Sequence, residues 1–302
     1  MSKDFTVFAG TANPALGAAI VQELGVRLGA CAIDRFPDGE VSVRICEPVR
    51  RKEVFLVQPT SPPVNDHLVE LLALADACRR AAAARITAII PYFGYARADK
   101  RHERREPITG DLHAPQIEGF FHAPVDTLTA VPTLCGALRD RLPSDLVVVS
   151  PDAGRVSLAT HYAQCLGTPV IVLHKRRESG AQTAVTHVVG DVAGRACLIV
   201  DDIISTGGTV AARVTALLQA GARPEMIVAA THGLLLPGSR DKLHHPAVCE
   251  VLVTDTVART GGEWPHLSVV SIAPLVASAL RRFLADGSIG DLYRGAERGA
   301  EI

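Results

Sequence analysis

The stretch Ala196-Cys-Leu-Ile-Val-Asp-Asp-Ile-Ile-Ser-Thr-Gly-Gly-Thr209 constrains the fold more than any other part of the chain. An apolar run ends in two adjacent carboxylates. A hydroxyl- and glycine-rich turn follows, and a helical pattern then runs from Val210 to Ala220. A buried strand of this kind delivers Asp201 and Asp202 to the carboxyl edge of a sheet. The turn sets the hydroxyls of Ser205, Thr206 and Thr209 and the amides of Gly207 and Gly208 at a helix N-terminus. Unpaired N–H groups and the positive end of the helix dipole make such a turn a phosphate cradle. Carboxylates beside it suit sugar hydroxyls or a magnesium shell, not the phosphate itself. The combination points to a sugar phosphate. The plainer alternative is a strand–turn–helix connection with ordinary caps, but Asp-Asp followed by T-G-G-T is far more specific than a lone glycine loop.

Length and composition agree with a protein built on that unit. The 302 residues suffice for about two domains with sizeable cores. Apolar residues make up 48% and aromatics only 4%, a balance of Ala, Val, Leu and Ile that favours parallel strands covered by helices. The formal net charge of −1 gives no sign of a nucleic-acid partner or an anionic membrane surface. Seven scattered cysteines without a CxxC pair read as reduced thiols of a cytosolic protein. The chain enters a strand pattern at Phe5–Ala9 without a charged head and apolar signal core, and no apolar run approaches membrane-spanning length. The expectation is a soluble, cytoplasmic protein.

Strand-like and helical runs alternate throughout. Asn13-Pro14 is a cap and first-turn pair for a helix ending near Gly25. Val54–Gln58 reads as strand, Asn65–Ala84 as a long helix and Ile86–Tyr92 as strand. A second series follows, with strands at Leu146–Ser150, Val170–Leu173, Ala196–Ile204, Met226–Thr231 and Val248–Thr254. Helices are expected at Arg155–Leu166, Val210–Ala220 and Pro274–Ala285. This spacing implies βαβ units and parallel sheets. The domain boundary falls between Val125 and Pro132, giving an N-terminal domain over 1–127, a C-terminal domain over 128–285 and a tail over 286–302.

Five further segments carry more polar residues than loops of their length require. Phe36-Pro-Asp-Gly-Glu40 sets an aromatic and two carboxylates on a tight turn, a weak signal because turns favour Pro, Asp and Gly anyway. Pro91–Lys100 runs into the charge cluster Arg101–Glu106, which reads either as a base-stacking, triphosphate-binding segment or as a solvated loop. Asp111-Leu-His-Ala-Pro-Gln116 and Ser150-Pro-Asp-Ala-Gly154 place His113 and Asp152 beyond strand ends, where ligands gather in α/β sheets. A single His or Asp in such a loop is usually just hydrogen-bonded. His174-Lys-Arg-Arg177 follows a strand and opens a long polar stretch. It reads equally as a solvated loop or as a mobile clamp for a phosphoryl group.

Taken together, V-F-A-G-T-A-N-P, F-P-D-G-E, Q-P-T-S-P-P-V-N-D, P-Y-F-G-Y-A-R, R-E-P-I-T, D-L-H-A-P-Q-I-E-G-F-F, S-P-D-A-G, H-K-R-R and V-D-D-I-I-S-T-G-G-T resemble the ribose-phosphate diphosphokinase, or 5-phosphoribosyl-1-diphosphate (PRPP) synthetase, family from about Phe5 to Tyr293. The resemblance implies two domains of the type I phosphoribosyltransferase fold related by a pseudo-twofold, each a mainly parallel sheet flanked by helices. It implies a homo-oligomer, hexameric or dimer-based. It also implies transfer of the diphosphoryl group of ATP to the C1 hydroxyl of ribose 5-phosphate, releasing AMP.

By the same resemblance Phe36, Asp38, Gly39 and Glu40, supplied by a neighbouring subunit, would hold the nucleotide with Arg97, Ala98 and His113. His113 and Asp152 would hold Mg2+. Asp201, Asp202, Ser205, Thr206, Gly207, Gly208 and Thr209 would bind ribose 5-phosphate. Lys175 and Arg177 would close over the diphosphoryl group. Such chemistry needs positioning and cations more than a covalent nucleophile.

The chain also departs from that pattern. Thr109-Gly110 joins R-E-P-I-T directly to D-L-H-A, where the family normally places a further helix and strand. Ser205 stands at a usual acid, Ala98 at a usual Gln, His174 at a usual Asp, Arg155 at a usual Gly and Pro48 at a usual Ser. The missing segment and the changes at Ser205, Ala98 and Arg155 favour a second reading, a non-catalytic paralogue that regulates or assembles with an active enzyme. Retention of Lys175, Arg177, His113, Asp152, Asp201 and Asp202 argues against it. A PRPP-consuming phosphoribosyltransferase is the third reading, for which F-P-D-G-E and Y-A-R are superfluous.

Overall fold

The computed structural model describes residues 4–95, 123–177, 184–259 and 261–293, with the backbone alone at 175–177, 184–186, 291 and 293. The chain forms two compact units that part between Thr129 and Ala130, and the chain returns to the first unit at Ile272.

In the first unit, β1 (Phe5–Ala9), β4 (Glu53–Val57) and β5 (Arg85–Ile89) form a parallel sheet in the order β1-β4-β5. Val7, Phe8, Val54, Phe55, Leu56 and Val57 are buried, as expected for strands covered by helices. Helix α1 (Pro14–Leu24) begins as its sequence dictates: the Asn13 side chain accepts from the Leu16 N–H, Pro14 occupies the first turn, and Gly25 closes the helix at φ 72°. Helix α2 is Val64–Arg80. Two short strands, β2 (Cys31–Arg35) and β3 (Val41–Ile45), pair as a separate antiparallel hairpin that the parallel reading did not anticipate.

Helix α7 (Ala273–Leu284) belongs to this first unit, although the sequence reading assigned residues up to 285 to the C-terminal domain. Its apolar face, with Val276, Ala277 and Leu280 buried, packs on α1. Phe283 meets the Phe55 ring edge-on at 5.8 Å, and the Arg85 guanidinium sits 5.3 Å from the Phe283 centroid. Periodicity reveals that a helix has an apolar stripe but not which surface covers it.

The second unit holds a seven-stranded sheet in the order β12-β11-β10-β9-β6-β7-β8. Its strands are β6 (Val147–Ser150), β7 (Val170–Arg177), β8 (Ala184–Val189), β9 (Cys197–Ile204), β10 (Met226–Gly233), β11 (Val248–Thr254) and β12 (Leu267–Val270). All neighbours are parallel except β7 and β8. Helices α3 (Val131–Leu138), α4 (Val156–Leu166), α5 (Gly208–Gln219) and α6 (Ser239–Leu243) join the strands. Val147, Val149, Ile199, Val214, Leu217, Val228 and Val251 form the centre of one core face. The chain runs outward from β6 to β7 and β8, then returns to lay β9 on the other side of β6. This reversal makes a crevice beyond the carboxyl ends of β6 and β9, where open α/β sheets bind ligands. Among the described residues no helix is long and apolar enough to cross a membrane.

Tyr162 on α4 is fully buried, yet among the described residues its hydroxyl has no hydrogen-bond partner. Burying an unmatched hydroxyl costs free energy that a ring without it does not incur. Tyr162→Phe is therefore expected to stabilise the protein by about 1 kcal/mol, read as a higher midpoint in urea unfolding. A lower midpoint would show that the hydroxyl is matched in solution.

Candidate functional site

The crevice between β6 and β9 brings together residues fifty positions apart. Val149 pairs with Ile199. Asp152 follows the end of β6 at Ser150, and β9 continues through Asp201 and Asp202. Arg213 lies within ion-pair distance of both Asp152 and Asp201. The Ser150 hydroxyl donates to the Asp152 carbonyl at 2.8 Å, and the Asp152 carboxylate accepts from the Gly154 N–H at 2.9 Å. Asp202 is buried, and one of its oxygens accepts from the Ile203 N–H at 2.7 Å. The neighbouring Asp201 accepts from the Asp202 N–H at 3.0 Å.

Two arginines hold the acids. Arg213 rises from α5 on the same face as the buried Val210, Val214 and Leu217 and is itself only 6% exposed. It donates to Asp201 at 2.7 Å, and its other terminal nitrogen lies 3.7 Å from Asp152. Arg155, at the N-cap of α4, forms an ion pair with Asp202. Burial pushes the Asp201 carboxyl up to about 6, with the hydrogen-bonded, like-charged Asp202 adding to the rise and Arg213 opposing it. Sequence reasoning missed Arg213. Its signal was a single arginine on the apolar stripe of α5, four residues after Thr209.

The turn after β9 has the expected form. Gly207 lies at φ 74°, and a Cβ there would come within 2.9 Å of Leu243 Cγ and 3.2 Å of the Ser239 carbonyl, so conformation and space both require glycine. Gly207 N-caps α5 with no side-chain hydrogen bond across the helix start, and the Thr206 and Thr209 side chains are exposed there. The turn is pinned from behind by Leu235 N–H to the Ile204 carbonyl at 3.1 Å and Leu236 N–H to the Ser205 carbonyl at 3.0 Å. An exposed helix N-terminus beside exposed hydroxyls can take an anion.

His174–Arg177 corrects the expectation of a loop. These residues extend β7 and pair with β8, Lys175 opposite Thr186 and Arg177 opposite Ala184. Three consecutive cations hide the alternation by which a strand is recognised, and an antiparallel partner supplied the missing order. In the first unit, Phe36–Glu40 forms the tip of the β2–β3 hairpin. The Phe36 N–H reaches the Glu40 carbonyl at 2.8 Å, Asp38 accepts from the Glu40 N–H at 3.1 Å, and Gly39 takes φ 96°. The Phe36 ring is 55% exposed, held out by a short and well-bonded turn. Arg97, Ala98, His113, the cluster Arg101–Glu106 and the expected shortening before Asp111 lie outside the described residues.

The donor chemistry at the crevice fits magnesium. Asp152, Asp201 and Asp202 offer carboxylate oxygens, and the raised Asp201 shows a buried acid pair that favours added positive charge. Among the described residues no three His, Cys, Asp or Glu side chains form a cage for a metal.

A parallel sheet whose switch point sets paired carboxylates beside a glycine-rich helix start defines an α/β protein of the type I phosphoribosyltransferase class. The comparisons specify it further. A profile of the N-terminal domain of ribose phosphate pyrophosphokinase matches residues 5–119, and one of the phosphoribosyl synthetase-associated domain matches residues 179–294. Ribose-phosphate pyrophosphokinases of Chromobacterium violaceum and Streptomyces coelicolor are each 42% identical to it, covering 95% and 96% of this chain and 94% and 96% of their own. The crystal structure of phosphoribosylpyrophosphate synthetase from Mycobacterium smegmatis superposes with a TM-score of 0.87 at 40% identity, over 94% of this chain and 100% of that one. The chain belongs to the ribose-phosphate pyrophosphokinase family, a family of enzymes. The Streptomyces alignment spans 315 positions, more than the 302 residues here, so that relative carries residues without a counterpart in this chain.

The buried acid has a measurable consequence. Asp201 binds its proton more tightly folded, at about 6, than at its ordinary 3.8. Its contribution to stability is therefore fully present below the ordinary value and is lost as pH rises through about 6. Asp201→Asn removes this dependence. The stability difference between variant and wild type is expected to shift in favour of the variant between pH 4 and pH 6 and to level off above about pH 7. A flat difference in parallel urea titrations would show that Arg213 holds the carboxyl at its ordinary value.

Proposed function

We propose that this chain transfers the diphosphoryl group of ATP to the C1 hydroxyl of ribose 5-phosphate, giving PRPP and AMP for nucleotide biosynthesis. The observation that carries this reading is the acid pair Asp201 and Asp202 at the end of β9, held with Asp152 by Arg213 of α5, next to an α5 N-terminus that no side chain caps. Asp201 and Asp202 accept hydrogen bonds from the ribose 2- and 3-hydroxyls. The amides of Gly207 and Gly208, with Ser205, Thr206 and Thr209, hold the 5-phosphate. A sugar gripped at both ends presents its C1 oxygen in one orientation, which supplies much of what phosphoryl transfer requires.

The C1 oxygen attacks the β-phosphorus of ATP, the bond from that phosphorus to the α-phosphate oxygen breaks, and AMP leaves while the C1 hydroxyl proton passes to solvent. Lys175 and Arg177, on the β7–β8 ribbon, stabilise the charge that develops on the transferred group. His113 and Asp152 hold Mg2+, which when bound screens the phosphate oxygens. The exposed Phe36 ring, with Asp38, Gly39 and Glu40, reaches the adenine of a neighbouring subunit, where Arg97 and Ala98 complete the pocket. The working enzyme is on this reading a cytoplasmic homo-oligomer. A regulatory paralogue without activity is the second reading, and the ion pair of Arg155 with Asp202 is the observation that favours it.

The test is AMP formation on protein of verified intact mass, with ATP, ribose 5-phosphate and magnesium. AMP that requires both substrates is the expected result. Its absence from folded protein would favour the regulatory reading. Lys175→Ala is expected to lower kcat by about 10²–10³ while ATP affinity, measured by calorimetry, changes little. Equal loss of both would make Lys175 a ground-state ligand.

A further inference from the structure

The two arginines at the acid pair are not equivalent. Arg213 is enclosed, 7% exposed at its side chain, and braces Asp201 from within the core face of α5. Arg155 stands at the mouth. Its side chain is 33% exposed, it is carried by the single 3₁₀ turn Ala153–Arg155, and its guanidinium closes on Asp202, whose side chain is only 9% exposed. The carboxylate that must meet a sugar hydroxyl is thus already occupied by a cation that can swing into solvent.

We propose that Arg155 is an affinity-setting latch, a built-in competitor that the vicinal hydroxyls of the sugar must displace from Asp202. The inference rests on the ribose 5-phosphate reading of the site. A hydroxyl pair binding Asp201 and Asp202 replaces an ion pair with hydrogen bonds in which only the acceptor is charged, which weakens sugar binding. A 5-phosphate seated on α5 offsets the loss through a second point of attachment. A pentose without phosphate has no such compensation. The latch therefore weakens binding of every sugar by a similar factor, and the 5-phosphate is what holds ribose 5-phosphate in place despite it. Arg155 does not brace the fold as Arg213 does, because its exposed head loses little on release.

The test compares wild type with Arg155→Gly and Arg155→Lys by calorimetric titration of ribose 5-phosphate and of ribose in magnesium buffer, without ATP. Glycine at 155 is compatible with the backbone there, at φ −109° and ψ 10°. Arg155→Gly is expected to bind ribose 5-phosphate about three- to tenfold more tightly, to bring ribose binding up by a similar factor, and to keep its thermal midpoint within a few degrees. Arg155→Lys falls between, since an ammonium keeps the charge without the planar fork. In turnover the KM for ribose 5-phosphate falls in Arg155→Gly while that for ATP stays close to wild type. Equal affinity in wild type and Arg155→Gly overturns the latch alone. Weaker binding in Arg155→Gly overturns it by making Arg155 a direct substrate ligand. If neither folded protein binds ribose 5-phosphate, the latch fails together with the sugar-phosphate reading.

Discussion

Two adjacent carboxylates at the buried end of β9 set the terms for everything around them. An ionised acid moved out of water is tolerated only beside compensating charge or hydrogen bonds. The chain meets that demand with Arg213 on Asp201 and with backbone N–H groups of the same strand on both acids, and the partly exposed Arg155 adds a charge beside Asp202. The demand explains why α5 carries an arginine on its apolar face. It also explains why the turn after β6 brings Arg155 to Asp202. The acid pair is costly to bury, and a site that is costly to bury is one a cationic or hydroxyl-bearing ligand can improve.

The same crevice divides its labour by charge. Negative groups occupy the strand ends, and the positive end of α5 lies one turn further along, with Gly207 giving the backbone room to expose its amides. A sugar phosphate has this polarity built in, hydroxyls at one end and an anion at the other. No covalent nucleophile is required, because in phosphoryl transfer the protein contributes position and electrostatics. The hairpin tip in the first unit belongs to a different logic. An exposed phenyl ring on a well-bonded turn has little to do for its own fold and is suited to stacking on something brought to it.

Much of this was legible beforehand because it is local. Asn13-Pro14 with Gly25 announces a helix and its two ends, and the structure places α1 between them. The run from Cys197 to Thr209 carries its own strand, its acid pair and its helix start, all within reach of short-range rules. The strands of the second unit that bury both faces also read directly, since Val147–Ser150 and Met226–Gly233 are nearly unbroken in apolar or small residues. Harder were the elements whose order comes from a partner. β8 and the cationic end of β7 make sense only as a pair, β2 and β3 only as a hairpin, and β12 only as an edge added to β11.

The sequence by itself determined the chemistry available: an acid pair, a glycine-rich helix start, an aspartate after a strand, cations before a polar stretch. It also determined the alternation that makes a parallel α/β fold the answer, because hydrophobic period and capping act over a few residues. Only the tertiary structure decided which groups meet. The reversal between β6 and β9 brought Asp152 and Asp201 within reach of one arginine. The packing of α5 turned Arg213 into a brace between two acids, and the turn before α4 set Arg155 on Asp202. The apolar face of α7 was assigned to α1 and Phe55 rather than to the unit that precedes it in the chain. These are contacts between positions far apart in sequence, selected by burial and charge compensation over the whole sheet, and no local pattern encodes the partner.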